Sequence, residues 1–209
     1  MFETLMSKTF IILAGSLFFS WLGSLLSVQW HQSGSASMKN YFCVSIISLI
    51  AIGLLLFFAN SFPLNVCLVI VFTGSVGFGL GVYFVAYEGI AQKALSLTVL
   101  TTLMTGLVAM YSGLDFTWLG QILFISLSIL VLLSIIRIFI NIGGRRFTAG
   151  FSVFIFTGYL LFDFNRLAKA QEIAVANNWE TALNLAINIY LDVINLFVYL
   201  VEYMASSGN

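Results

Sequence analysis

The stretch Ala182-Leu-Asn-Leu-Ala-Ile-Asn-Ile-Tyr-Leu-Asp-Val-Ile-Asn-Leu-Phe-Val-Tyr-Leu-Val201 is apolar along nearly its whole length, yet it carries a carboxylate in its middle. At about 1.5 Å per residue it is long enough to cross the ~30 Å hydrocarbon core of a bilayer as a helix. Placing Asp192 at that depth costs about 2.5–3.5 kcal/mol on insertion scales, so its position calls for a purpose. Asp192 also has polar company. Asn184, Asn188, Asp192, Asn195, Tyr199 and Glu202 follow one another at helical steps of three or four, which predicts one polar face on this helix. Such a face turns towards protein or water rather than lipid.

The rest of the chain agrees with a membrane setting. Of 209 residues, 61% are hydrophobic and 8% charged, and the net charge is zero. Soluble domains carry roughly a quarter charged residues, so both a soluble fold and disorder are excluded. The mean hydropathy is +1.07. With no basic patch, nucleic acid is not an expected partner. The expected class is an all-α integral membrane bundle of seven helices, forming a single domain over residues 1–209.

Hydropathy divides the chain into spans at about 9–30, 41–62, 64–86, 90–111, 118–140, 147–165 and 182–204. The first follows Lys8. It is longer than the apolar region of a signal peptide and lacks a small-residue cleavage pattern, so it reads as a membrane helix. Ser112–Thr117 and Asn141–Arg146 read as turns. Pro63 fits the first position of the third helix, where its missing N–H costs little. The longest connection, Arg166–Thr181, is expected to begin as a continuation of the sixth helix. The short connections predict antiparallel neighbours.

Gly74, Gly77, Gly79 and Gly81 lie inside the third span. In that setting Gly77-xxx-Gly81 reads as a close helix–helix contact rather than a phosphate loop. Cys43 and Cys67 lie in or beside apolar runs and are expected to be packing residues. His31 is the only histidine, so no Cys/His metal motif exists. The Lys/Arg distribution, five against three, favours an outside N-terminus and an inside C-terminus.

Asp163, near the end of the sixth span, is the second acid of interest. Consecutive helices tend to be neighbours, so Asp163 and Asp192 are placed to approach each other and to titrate as a pair. Sharing one proton would hold them together; full ionisation would drive them apart or attract a cation. Carboxylate and amide oxygens suit a hard cation such as Ca²⁺, and this face has too few ligands for a tight site. Weak coordination by Asp163 and Asp192 suits conduction. Asn184, Asn188, Asn195 and Tyr199 would line or support the path, with Arg166 and Arg137 at its margins.

Other roles are open to the same residues. Asp163 is placed to pair with Arg166 at the membrane boundary, and the asparagines can act as interhelical glue. Arg137 is placed to snorkel. Glu202 is expected to be solvated at the helix end, Glu88 and Lys93 mark the interface, and Asp115 reads as an Asx-type loop residue. Neither a Ser-His-Asp set nor a zinc-protease motif occurs. Leu191 precedes Asp192, and Leu161-Phe162 precedes Asp163, unlike the motifs of intramembrane aspartyl proteases. An enzyme is not expected.

Three stretches resemble the transmembrane Bax inhibitor motif family: Ser112-Gly-Leu-Asp-Phe with Leu119-Gly120; Phe154-Ile-Phe-Thr-Gly-Tyr-Leu-Leu-Phe-Asp-Phe-Asn-Arg166; and Ile189-Tyr-Leu-Asp-Val-Ile-Asn-Leu-Phe197. The third is the most specific, and the resemblance covers about residues 64–204. It implies a seven-helix fold and a pH-sensitive calcium leak, with the family's two sensor aspartates falling on Asp163 and Asp192. Two departures stand out. The family's alternative arginine partner on helix 2 has no counterpart in Tyr41–Phe62, and the link between the two acids is longer than usual. The resulting expectation is a leak channel of a bacterial inner membrane, with lipid, Ca²⁺ and H⁺ as its partners and no tightly bound cofactor. A regulatory or scaffold protein that binds other membrane proteins, and a proton-coupled calcium exchanger, are the alternatives.

Overall fold

The computed structural model describes residues 4–34, 37–58, 60–61, 63–139, 144–172 and 177–206. Among them are seven helices and no strand: α1 Leu5–Gln32, α2 Met38–Phe58, α3 Leu64–Ala86, α4 Glu88–Tyr111, α5 Leu119–Phe139, α6 Arg145–Glu172 and α7 Trp179–Ala205. Every one is long and apolar enough to cross a membrane. The all-α, seven-span class expected from hydropathy is therefore the observed one.

The helix ends differ from the spans for physical reasons. Hydropathy marks the hydrocarbon layer, whereas the helices continue past it: α1 starts four residues early, and α6 runs on to Glu172 as expected from the long connection. α2 begins at Met38, so the exposed Lys39 belongs to its first turn. Pro63 sits at the N-cap of α3, one residue before the expected position, where its missing N–H is equally harmless. Asn178 caps α7, its Oδ1 accepting from the Thr181 amide at 2.8 Å. The turn expected at Asn141–Arg146 falls partly outside the described residues.

The chain forms two compact units, one of Met1–Glu88 with Ala176–Ile187, the other of Gly89–Val175 with Asn188–Asn209. In the first, α3 packs against α1 and α2. The buried face of α1, Leu5, Thr9, Leu13, Ser16, Ser20, Gly23 and Ser27, runs at three- and four-residue steps and is made of small residues from Ser16 onward. It meets the glycines of α3 backbone to backbone. A Cβ on Gly77 would land on the main chain of Ser20; one on Gly81 would land on the Ser27 side chain and lie 2.9 Å from the Ser24 carbonyl. Ser20 Oγ donates to the Thr73 carbonyl at 2.9 Å across this contact. Gly77-xxx-Gly81 is thus a helix–helix contact, as its membrane setting implied.

In the second unit, Leu123 and Leu130 of α5 and Ile155 of α6 form a buried core, with Tyr159, Phe162 and Tyr199 packed on it. Small residues again set the spacing: a Cβ on Gly158 would come 2.8 Å from Leu123, and one on Gly120 2.8 Å from Phe162.

The cysteines correct an expectation. Cys43 and Cys67 are both exposed and free rather than packed. The outer surface of a membrane protein is as apolar as its core, so an apolar run does not tell the two apart. The outward Leu56 and Phe57 on α2, 80% and 83% exposed, make the same point.

Candidate functional site

α6 and the second half of α7 bring the two acids together in the second unit. Asp163 and Asp192 are buried, at 5% and 7% exposure, and both line one cavity, close enough to act on each other. Two carboxyl groups in hydrogen-bond contact require a proton on one of them, because two carboxylates have only acceptors to offer. Asp192 Oδ2 is buried and has no hydrogen-bond partner in the protein.

The pair lines a cavity of about 620 Å³. From α7, Asn188, Asn195 and Tyr199 share its wall; from α6 come Tyr159 and Arg166, and from α5 Ser134. Asn195 turns its amide nitrogen back to the Leu191 carbonyl at 2.9 Å, which leaves its Oδ1 as an acceptor. Tyr199 stacks on Phe156 with ring centroids 5.6 Å apart. Arg166, one turn beyond Asp163, is exposed, and its guanidinium stands close enough to act electrostatically on Asp163. The wall therefore carries a group of hard oxygens among apolar side chains such as Leu127, Val131, Ile135 and Leu191, with a cation at its margin.

Asn184 does not belong to this wall. It is exposed and absent from the cavity lining. Each four-residue step overshoots a helical turn, so eight residues rotate Asn184 roughly 80° away from Asp192. Glu202 is also exposed. The Arg137 side chain lies outside the described residues. Among the described residues no cluster of three or more His, Cys, Asp or Glu forms. Carboxylate ligands at this cavity come from the acid pair alone, and any further ligands would be amide, phenol or hydroxyl oxygens.

Three contributors escaped the sequence reading. Tyr159 lies one turn before Asp163 on α6, a spacing that marks it as a face-sharing residue. Ser134 looks like any small residue in a span. Asn165 is the third. It is buried at 3% exposure, and its Nδ2 donates to the carbonyls of Leu114 at 3.1 Å and Ala109 at 3.3 Å. Its Oδ1 accepts from the Phe116 amide at 3.1 Å. The α4–α5 loop is thereby tied to the helix that carries Asp163.

Asp115 in that loop makes the expected Asx turn, its Oδ1 accepting from the Thr117 amide at 2.8 Å. It also pairs with Lys169 of α6 at 2.5 Å. The Lys169 ammonium first, then the Thr117 bonds, hold this exposed carboxyl well below the usual carboxylate range. Gly113 supplies the positive φ of 68° that the loop needs.

Seven helices long and apolar enough to cross a membrane, with two buried acids on the wall of one cavity, define a polytopic membrane protein. The chain belongs to the Bax inhibitor-1 family: the family model described as "Inhibitor of apoptosis-promoting Bax1" matches residues 3–209. It is 30% identical over 185 residues to a BI1-like protein of Arabidopsis thaliana, covering 85% of this chain and 68% of that one. It is 30% identical over 174 residues to Protein LIFEGUARD 1 of the same plant, covering 79% and 71%. An uncharacterized membrane protein of Vibrio cholerae is 28% identical over 174 residues, covering 78% and 75%.

Proposed function

We propose that this protein is a pH-sensitive calcium leak channel of a bacterial inner membrane, gated by the Asp163–Asp192 pair. The observation that carries the reading is the placing of two buried carboxyls on the wall of one cavity, beside amide and phenol oxygens. With one shared proton the pair is a charge-assisted hydrogen bond that clamps α6 to α7. Loss of that proton leaves two like charges in a low-dielectric site, which separate or take up a cation. Ca²⁺ is the cation suited to the carboxylate, amide and phenol oxygens present. The small number of carboxylates favours brief occupancy, as passage requires. Membership of the family is consistent with this role.

The test is Ca²⁺ flux into liposomes holding the purified protein, measured against pH for wild type and Asp192→Asn. The wild type passes calcium down its gradient with a pH response that Asp192→Asn lacks. Equal flux and equal pH response in the two proteins would overturn the reading. Uphill calcium movement driven by a pH gradient would replace the channel with an exchanger.

A further inference from the structure

The first unit contains a second cavity, of about 720 Å³, between the N-terminal parts of α1, α3 and α7. It has a polar end and an apolar body. Trp179 and Glu180 line it in the first turn of α7. Lys8 of α1 donates to the Asn177 carbonyl at 2.8 Å and lies 5.7 Å from the Trp179 ring centroid, so residue 8 is level with that end. From there the α1 wall runs through Ile11 and Gly15 to Phe19. At about 1.5 Å per residue, Phe19 lies roughly 16 Å deeper than Lys8. That depth is half of the ~30 Å hydrocarbon core, the reach of one leaflet. Ile11 and Val66, which also line the body, are exposed, so the cavity opens sideways onto the apolar surface that lipid covers.

Opposite charges flank the polar end. Among the described lining residues Glu180 alone is charged, and it is half-buried. Lys8, beside Trp179, directs two N–H groups at Asn177, to the carbonyl and to Oδ1 at 3.0 Å, which leaves one of its three donors. Lys8 and Glu180 do not pair with each other: among the described residues the ion pair is Lys169 with Asp115. A carboxylate in the lining favours a positive group at the mouth and opposes an anion there. An ammonium beside that mouth favours a phosphate. The two charges therefore suit a zwitterionic head, and the body suits an apolar chain as deep as one leaflet.

We infer that this cavity is a site for one phosphatidylethanolamine molecule, with its ammonium on Glu180, its phosphate towards Lys8 and one acyl chain in the apolar body. The primary ammonium donates hydrogen bonds to a carboxylate, which the quaternary ammonium of phosphatidylcholine cannot do. An anionic lipid such as phosphatidylglycerol satisfies Lys8 but brings nothing positive to Glu180.

Native mass spectrometry of the purified protein tests this, with phosphatidylethanolamine, phosphatidylcholine or phosphatidylglycerol of identical acyl chains titrated in detergent. Wild type binds one phosphatidylethanolamine ahead of either other lipid. Glu180→Gln weakens that binding about three- to tenfold, the value of one hydrogen bond, and leaves phosphatidylcholine unchanged. Lys8→Gln weakens both, because both carry the phosphate. A Cβ added to Gly15 would meet nothing within 4 Å, so Gly15→Leu fits beside its neighbours, occupies the body and removes the preference. Should Gly15→Leu fail to fold, Glu180→Gln decides alone. Equal binding of phosphatidylethanolamine and phosphatidylcholine to wild type would overturn the assignment. So would a preference that survives Glu180→Gln, or tighter binding of phosphatidylglycerol.

Discussion

Asn165 accepts a hydrogen bond from the Phe116 amide at 3.1 Å, so a buried side chain two residues beyond Asp163 holds the middle of the α4–α5 loop. Its Nδ2 completes the attachment through the Ala109 and Leu114 carbonyls. An asparagine is well suited to this place, because one planar group supplies an acceptor and two donors to main-chain atoms that otherwise lack helical partners. Asn165→Leu removes all three bonds and strands the buried Ala109 carbonyl at about 1–3 kcal/mol, with smaller losses at the partly buried Leu114 and Phe116 groups. We expect a large loss of thermal stability in detergent, with faster amide exchange at residues 114–116. An unchanged Tm would show that the loop is held by other contacts.

Under the proposed gating, the leak is lowest in the pH window where the two carboxyls share one proton. Raising the pH removes the shared proton and opens the pair. Lowering it adds a second proton and replaces a charge-assisted bond with a weaker neutral one. Asp163→Asn keeps an amide donor facing Asp192 at every pH, so this variant stays closed and its flux profile is flat. Flux through Asp163→Asn that exceeds the wild type at acid pH would show that proton sharing is not the gate.

Asp115 titrates differently. Its Lys169 and Thr117 partners lower its folded pKa, so the stabilisation it contributes is present above the unfolded value of about 3.9 and is lost only as pH falls through the lower folded value. Asp115 stays ionised across the neutral range and has no part in a response there. Asp115→Asn therefore leaves the midpoint of the flux profile in place. The exposed pair it removes is screened by salt, so any Tm difference shrinks at high ionic strength. A shifted midpoint would place Asp115 in the sensor.

On α3, neighbouring glycines should respond unequally. A methyl at Gly77 has the Ser20 main chain in its way, whereas one at Gly79 meets nothing within 4 Å. Gly77→Ala forces α1 and α3 apart at about 1–3 kcal/mol, the usual range for overpacking. Gly79→Ala is neutral or slightly stabilising. Thermal melts of the two variants side by side check this, and equal melting would mean that α1 and α3 do not cross closely in the folded protein.

Much of the fold could be read from hydropathy, because a bilayer sets the length and polarity of each span. Asp192 announced itself for the same reason, as the exception to that rule. Asn184 was grouped with it because steps of four look like one face over a short distance, while the accumulated rotation takes it off the wall. Asn165 gave no such signal: its partners are peptide groups some fifty residues away, and main-chain partners leave no trace in residue types. The cysteines misled because hydropathy measures preference for an apolar medium, and lipid satisfies that preference as well as protein does.

The outward placement of Cys43 and Cys67 makes the chain its own topology reporter. Cys43 lies early in α2 and Cys67 early in α3, and successive crossings run in opposite directions, so the two thiols sit near opposite leaflets. With the N-terminus outside, a maleimide that cannot cross the membrane reaches Cys67 in intact spheroplasts and Cys43 only in inverted vesicles; the reversed pattern would invert the whole protein, with no engineered label required.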